Sequence, residues 1–146
     1  MVRLRDFTRA RRRVRIGAPD PSLTPVSGIV AVAELVGRLG VIERLDARVG
    51  PIKTHRRGFC GGQLLVGMAG AQLAGEEFLV GLERQCRDVA GQQLAPVAGL
   101  TSTTAAGLAK RFSDGLWHAV ETAIGDVHAT MLDRLPRPAP RPCASR

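Results

Sequence analysis

Between Gly62 and Leu73 the chain is apolar almost all round: Leu64, Leu65, Val66, Met68 and Leu73 are set among Gly67, Ala69, Gly70 and Ala71. A helix without a polar side cannot rest on a surface, so this segment has to be central, with neighbours packed around it. Its small residues let those neighbours come close, at about 1 kcal/mol of helix propensity for each interior glycine. The uninterrupted apolar run from Leu64 to Ala71 is bracketed by Gln63 and Gln72 and falls far short of the roughly 20 residues that span a bilayer. It predicts a buried helix and no membrane anchor.

Other helices gather around this one. Ile29, Val32, Leu35, Val36 and Leu39 recur at helical spacing, with Ser27 as a cap and Gly40 as the left-handed stop. Val41, Ile42, Leu45 and Val49 make a short second helix that Gly50 and Pro51 end. Glu76 and Glu77 suit the positive end of a helix carrying Phe78, Leu79 and Leu82 inward, and Gly91, Pro96 and Gly99 predict a loop after Arg87. Ser102 can cap a helix through Ala105, Leu108 and Phe112. Leu116, Val120, Ile124, Val127, Met131 and Leu135 then keep to one stripe about 100° wide, which Pro136 ends. No comparable period-two run occurs. The prediction is an all-α fold: about six helices in one small domain over residues 26–135, after a disordered basic arm and Pro-rich linker (1–25) and before a disordered Pro-rich tail (136–146).

Charge is divided along the same boundaries. Seven arginines, Arg3, Arg5, Arg9, Arg11, Arg12, Arg13 and Arg15, face only Asp6 in the first 15 residues, whereas 11 cations meet 12 carboxylates between residues 16 and 135. A cationic arm on a near-neutral body draws the molecule to a polyanion without straining a core by self-repulsion. With four Phe, one Trp and no Tyr, stacking platforms for single strands are nearly absent, so double-stranded DNA is the better partner. The arginines lead into Gly17, Asp20, Pro21 and Pro25 and not into an apolar segment, which argues against a secretory leader. Cys60, Cys86 and Cys143 have neither disulfide nor zinc-ligand spacing, and a cytoplasmic location is expected.

No catalytic constellation is visible. Asp114, Glu121, Asp126 and Asp133 avoid the apolar stripe of the last helix and read as its solvated face. His118 and His128 lack partners at metal-ligand spacing, and His55 sits among Lys53, Arg56 and Arg57. No phosphate loop, nucleophile elbow or HExxH motif is present. The residues suited to DNA are better grouped. Thr101, Ser102, Thr103 and Thr104 put hydroxyls at a helix start and Lys110 with Arg111 puts cations near its end, a pattern that recognition helices share with ordinary capped helices. Lys53, Arg56 and Arg57, with Arg48 just before them, suit phosphate contacts or a solvated loop.

Several segments in order carry a resemblance. Leu23-Thr24-Pro25-Val26-Ser27-Gly28, Arg38-Leu39-Gly40-Val41-Ile42, Val49-Gly50-Pro51-Ile52-Lys53 and Gly61-Gly62-Gln63-Leu64-Leu65-Val66 are followed by Gln72-Leu73-Ala74-Gly75, Leu94-Ala95-Pro96-Val97, Ser102-Thr103-Thr104-Ala105-Ala106 and Arg111-Phe112. This set resembles the amino-terminal region of bacterial insertion-sequence transposases with a group 1 DDE domain, from about Arg11 to Leu135. The resemblance implies a helical region that binds the ends of the element, ahead of an RNase H-like domain whose acidic triad holds two metal ions. After Leu135 this chain runs instead through Pro136, Pro138, Pro140 and Pro142 and stops, which reads as a truncation. Without the triad, two-metal phosphoryl transfer has no ligands here.

The expectation is therefore a DNA-binding fragment that is not an enzyme by itself. It needs no cofactor, the divalent ions belonging to the missing domain. The DNA contacts are assigned to Arg9, Arg11, Arg12, Arg13, Arg15, Lys53, Arg56, Arg57, Ser102, Thr103, Thr104, Lys110 and Arg111. The alternatives are a helical interaction module that pairs with itself or with full-length transposase as an inhibitor, and a non-functional gene remnant.

Overall fold

The computed structural model describes residues 4–6, 13–15, 18, 20–52 and 58–135, with side chains from residue 18 onward. The body is all-helical, with seven helices among the described residues: α1 (Ile29–Leu39), α2 (Val41–Val49), α3 (Gly61–Leu73), α4 (Gly81–Arg87), α5 (Val89–Leu94), α6 (Ser102–Ala109) and α7 (Asp114–Arg134). Ahead of it β1 (Leu4–Asp6) and β2 (Arg13–Arg15) pair antiparallel, with Arg5 opposite Val14. This three-residue ladder touches no helix among the described elements. The tail 136–146 lies outside the described residues.

The helix α3 is central, as its composition demands. On one side Leu64 and Ala71 join Leu82 of α4, Leu100, and Ala105 and Leu108 of α6. On the other, Val66 joins Leu45 and Val49 of α2 with Val120 and Ala123 of α7. Ile52 and Phe112 pack against both groups, so the two clusters form one continuous core. α2 joins α3 to α7, the two helices with which it makes its most extensive contacts.

Local sequence explains how the helices turn. Gly40 adopts φ 59 and ψ 43, closing α1 through its N–H and starting α2 at once. A side chain there would be strained, which is why a glycine separates two helices with no linker between them. α3 begins with the N–H of Gly62 donating to Asp46 Oδ1 of α2 at 2.7 Å and the N–H of Cys60 donating to Gln63 Oε1 at 2.9 Å. These bonds satisfy donors that a helix start leaves open and tie α3 to α2.

Gly62 also packs so closely that a Cβ would collide with the carbonyl oxygen of Ile42. Backbone cannot yield as a flexible side chain does. Gly62→Ala is expected to destabilise the protein by about 1–3 kcal/mol through overpacking. Gly37→Ala, where nothing lies within 4 Å of the new Cβ, is expected to stabilise it by about 0.5–1 kcal/mol. Urea denaturation of the two variants checks both signs.

Three sequence expectations are corrected. The helix expected from Glu76 starts only at Gly81, because the Glu76 side chain folds back against Gly81 and pairs with Arg84 at 3.4 Å. The stretch expected as a loop after Arg87 contains α5, capped by Asp88 Oδ1, which accepts from the N–H of Gly91 at 2.9 Å, so there are seven helices where about six were expected. Thr24 donates to the other oxygen of Asp88, fastening the linker to the body. Finally, α7 buries Val120 and Ala123 while Ile124, Met131 and Leu135 face water. Alanines at 119 and 123 let α7 approach closely, and the larger residues turn outward.

Candidate nucleic-acid interface

Helix α6 is positioned by its two buried residues. Ala105 and Leu108 face the core beneath α3 and α4, and that fixes which side faces water. Thr103, Thr104, Gly107, Lys110 and Arg111 are all exposed, and their spacing places them along one face. The face carries at one end two hydroxyls, each at hydrogen-bond distance from Thr101 Oγ1 (3.1 Å from Thr103 and 2.9 Å from Thr104) and each with capacity for a further partner, two cations at the other end and a bare glycine between them. α6 itself contains no carboxylate. Gly107 was not singled out from the sequence, although its place four residues after Thr103 marks it as part of the same face.

The start of the helix differs from expectation. Thr101, not Ser102, is the cap, with φ −89 and ψ 156, and its Oγ1 accepts from the N–H of Thr104 at 3.4 Å. Ser102 is engaged elsewhere: its N–H and its hydroxyl both donate to Glu83 Oε1, at 3.0 and 2.8 Å. The hydroxyl and the N–H of Ser102 hold the Glu83 carboxyl below its ordinary pKa, with Arg87 adding to the effect. A carboxyl lowered by folding contributes stability above its unfolded pKa, and that contribution is lost as pH falls through the lowered value. Glu83 thus fills the anion position at the start of α6, and Ser102 has no free donor for a phosphate. Nothing in the sequence signals this pair, whose members lie 19 residues apart.

Three other cations of the body are already paired with carboxylates. Arg48 pairs with Asp126 of α7 at 2.9 Å, Arg38 with Glu34 at 2.6 Å and Arg84 with Glu76. The pairing of Arg48 takes it out of the phosphate-binding set suggested by its place before the basic loop. Among the described residues Lys110 and Arg111 take part in no ion pair. Arg9, Arg11, Arg12, Lys53, Arg56 and Arg57 lie outside the described residues; Arg13 and Arg15 stand in β2, opposite Asp6 and Leu4.

Little else in the body is arranged for chemistry. Burial pushes the Cys60 and Cys86 thiols up, with Asp46 adding to the shift of the first and Glu83 to that of the second. Both are therefore protonated at neutral pH and poor nucleophiles. His118 Nδ1 lies 3.6 Å from Glu121 on the open surface of α7. Among the described residues no group of three or more His, Cys, Asp or Glu is placed to hold a metal ion, and no helix is long and apolar enough to cross a membrane. Comparison with protein-family models, with curated proteins and with solved structures finds no match.

Proposed function

We propose that the chain is a DNA-binding domain of the kind that precedes the catalytic domain in insertion-sequence transposases, binding element-end duplex and catalysing nothing alone. The observation that carries this reading is the exposed face of α6, where Thr103, Thr104, Lys110 and Arg111 stand together around Gly107 with no carboxylate on the helix. Hydroxyls and an arginine reach both base edges and phosphates, and a glycine in the middle lets a helix sit deep in a groove. The arm residues Arg9, Arg11, Arg12, Arg13 and Arg15 and the loop residues Lys53, Arg56 and Arg57 supply phosphate contacts that hold the domain without reading sequence. Ser102 leaves this set because of Glu83.

The two groups of cations are expected to separate by mutation. Replacing Lys110 and Arg111 together by alanine costs about 1–3 kcal/mol on element-end DNA and much less on shuffled DNA. Replacing Arg11, Arg12 and Arg13 by alanine weakens both duplexes alike. Fluorescence anisotropy on the two duplexes measures the difference. Equal losses on both from the change at 110 and 111 would show that α6 does not read sequence.

A further inference from the structure

The carboxylate that meets the start of α6 is supplied by another helix. Glu83 of α4 accepts from both the N–H and the hydroxyl of Ser102 through one oxygen, Oε1, at 3.0 and 2.8 Å. The N–H of Thr104 goes to Thr101 Oγ1 at 3.4 Å, so two donors that a helix start leaves open are satisfied within the protein. An uncharged acceptor would have served Ser102 as well. A carboxylate does more, because it sets a full negative charge, partly offset by Arg87 one turn further along α4, beside the exposed Thr103 and Thr104. The backbone of a helix start carries only about half a positive charge, so Glu83 reverses its sign. α6 has eight residues and is about 12 Å long, with Lys110 and Arg111 just past its far end. The face is therefore negative where it begins and positive where it ends, opposite to the dipole of its own backbone.

We propose that Glu83 is a specificity-determining residue of this face, which turns phosphates away from the start of α6 and so weakens binding to duplex that lacks the recognised sequence. The proposal rests on the reading of α6 as the helix that meets DNA. Contacts that ignore sequence are contacts to phosphate, and a helix start is a ready place for one. With Glu83 in that place, phosphates are drawn only to the Lys110 and Arg111 end, and Thr103 and Thr104 are left for base edges. The carboxylate costs most on duplex where the helix start would otherwise rest on a phosphate, and least where base edges already hold α6. Discrimination is gained by a repulsive element set against the wrong partner.

Binding of the full chain to a terminal-repeat duplex and to a shuffled duplex, at physiological salt, tests the proposal through two variants. Glu83→Gln removes the charge and keeps an amide oxygen for Ser102, whereas Glu83→Ala removes the charge and frees both Ser102 donors. Shuffled-duplex binding is expected to tighten about threefold in the first and about tenfold in the second, and repeat binding by less than about twofold in either, so discrimination shrinks. An unchanged circular-dichroism spectrum shows that the helices are kept. Glu43→Gln, the same charge change at an exposed residue of α2, moves the two duplexes alike. Glu83 variants that leave the ratio of the two affinities unchanged, or shrink it no more than Glu43→Gln does, overturn the proposal. Replacing Lys110 and Arg111 by alanine then tells two failures apart. If that pair still lowers discrimination, α6 reads sequence without help from Glu83; if it does not, the reading of α6 has failed as well.

Discussion

Raising the salt concentration from about 50 mM to about 200 mM is expected to weaken duplex binding by the full chain at least about 500-fold. Seven arginines and a single aspartate in the first 15 residues make the arm the densest charge in the molecule. Each arginine that meets a phosphate releases a condensed counterion, so about five such contacts give a slope near −4.5 in log affinity against log salt. Arg38, Arg48 and Arg84 add little to that slope because they are already paired with carboxylates, whereas phosphate contacts from Lys53, Arg56 and Arg57 make it steeper. Anisotropy titrations at four salt concentrations measure it. A slope near zero would mean that the arm does not touch the backbone of the duplex.

The second large effect concerns stability. Two leucines of α3 separate the contributions of burial and composition: Leu64 is 2% exposed and Leu73 is 68% exposed. Leu64 lies in the cluster with Leu82, Leu100, Ala105 and Leu108, and removing it leaves a cavity between α3, α4 and α6 that rigid neighbours fill poorly. Leu64→Ala is expected to cost about 3 kcal/mol, combining lost transfer energy with the cavity. Leu73→Ala changes stability by less than about 0.5 kcal/mol, since it removes a side chain from water and not from the core. Chemical denaturation decides. Equal costs at the two positions would place the α3 core elsewhere.

What the sequence revealed, and what it hid, follows from the range of the forces involved. The central place of α3 was legible because an all-apolar segment has only one kind of environment open to it. The Gly40 turn was legible because left-handed backbone has a residue type of its own. α5 was missed through reading Gly91 as a breaker, when Asp88 three residues earlier caps a helix that runs through it. The orientation of α7 was misread for another reason. Two overlapping apolar rows run along that helix, and periodicity weighs large residues such as Ile124 above Ala123, which is the one fully buried.

The candidate site divides in the same way. The exposed face of α6 follows from helical spacing alone once Ala105 and Leu108 are taken as inward. The withdrawal of Ser102 by Glu83 and of Arg48 by Asp126 depends on tertiary contacts across 19 and 78 residues, which no local pattern records. A hydroxyl or a guanidinium in a suitable local pattern is available to DNA only if the fold has not already used it.

The most direct test of the central claim is anisotropy binding of the purified chain, at physiological salt, to a duplex carrying the element's terminal repeat and to a shuffled duplex of the same composition. The account predicts tighter binding to the repeat by tenfold or more, about 1.4 kcal/mol, with the difference lost when Lys110 and Arg111 are replaced. Equal affinity for the two duplexes would contradict it, leaving a basic arm that holds any DNA and an α6 that reads none.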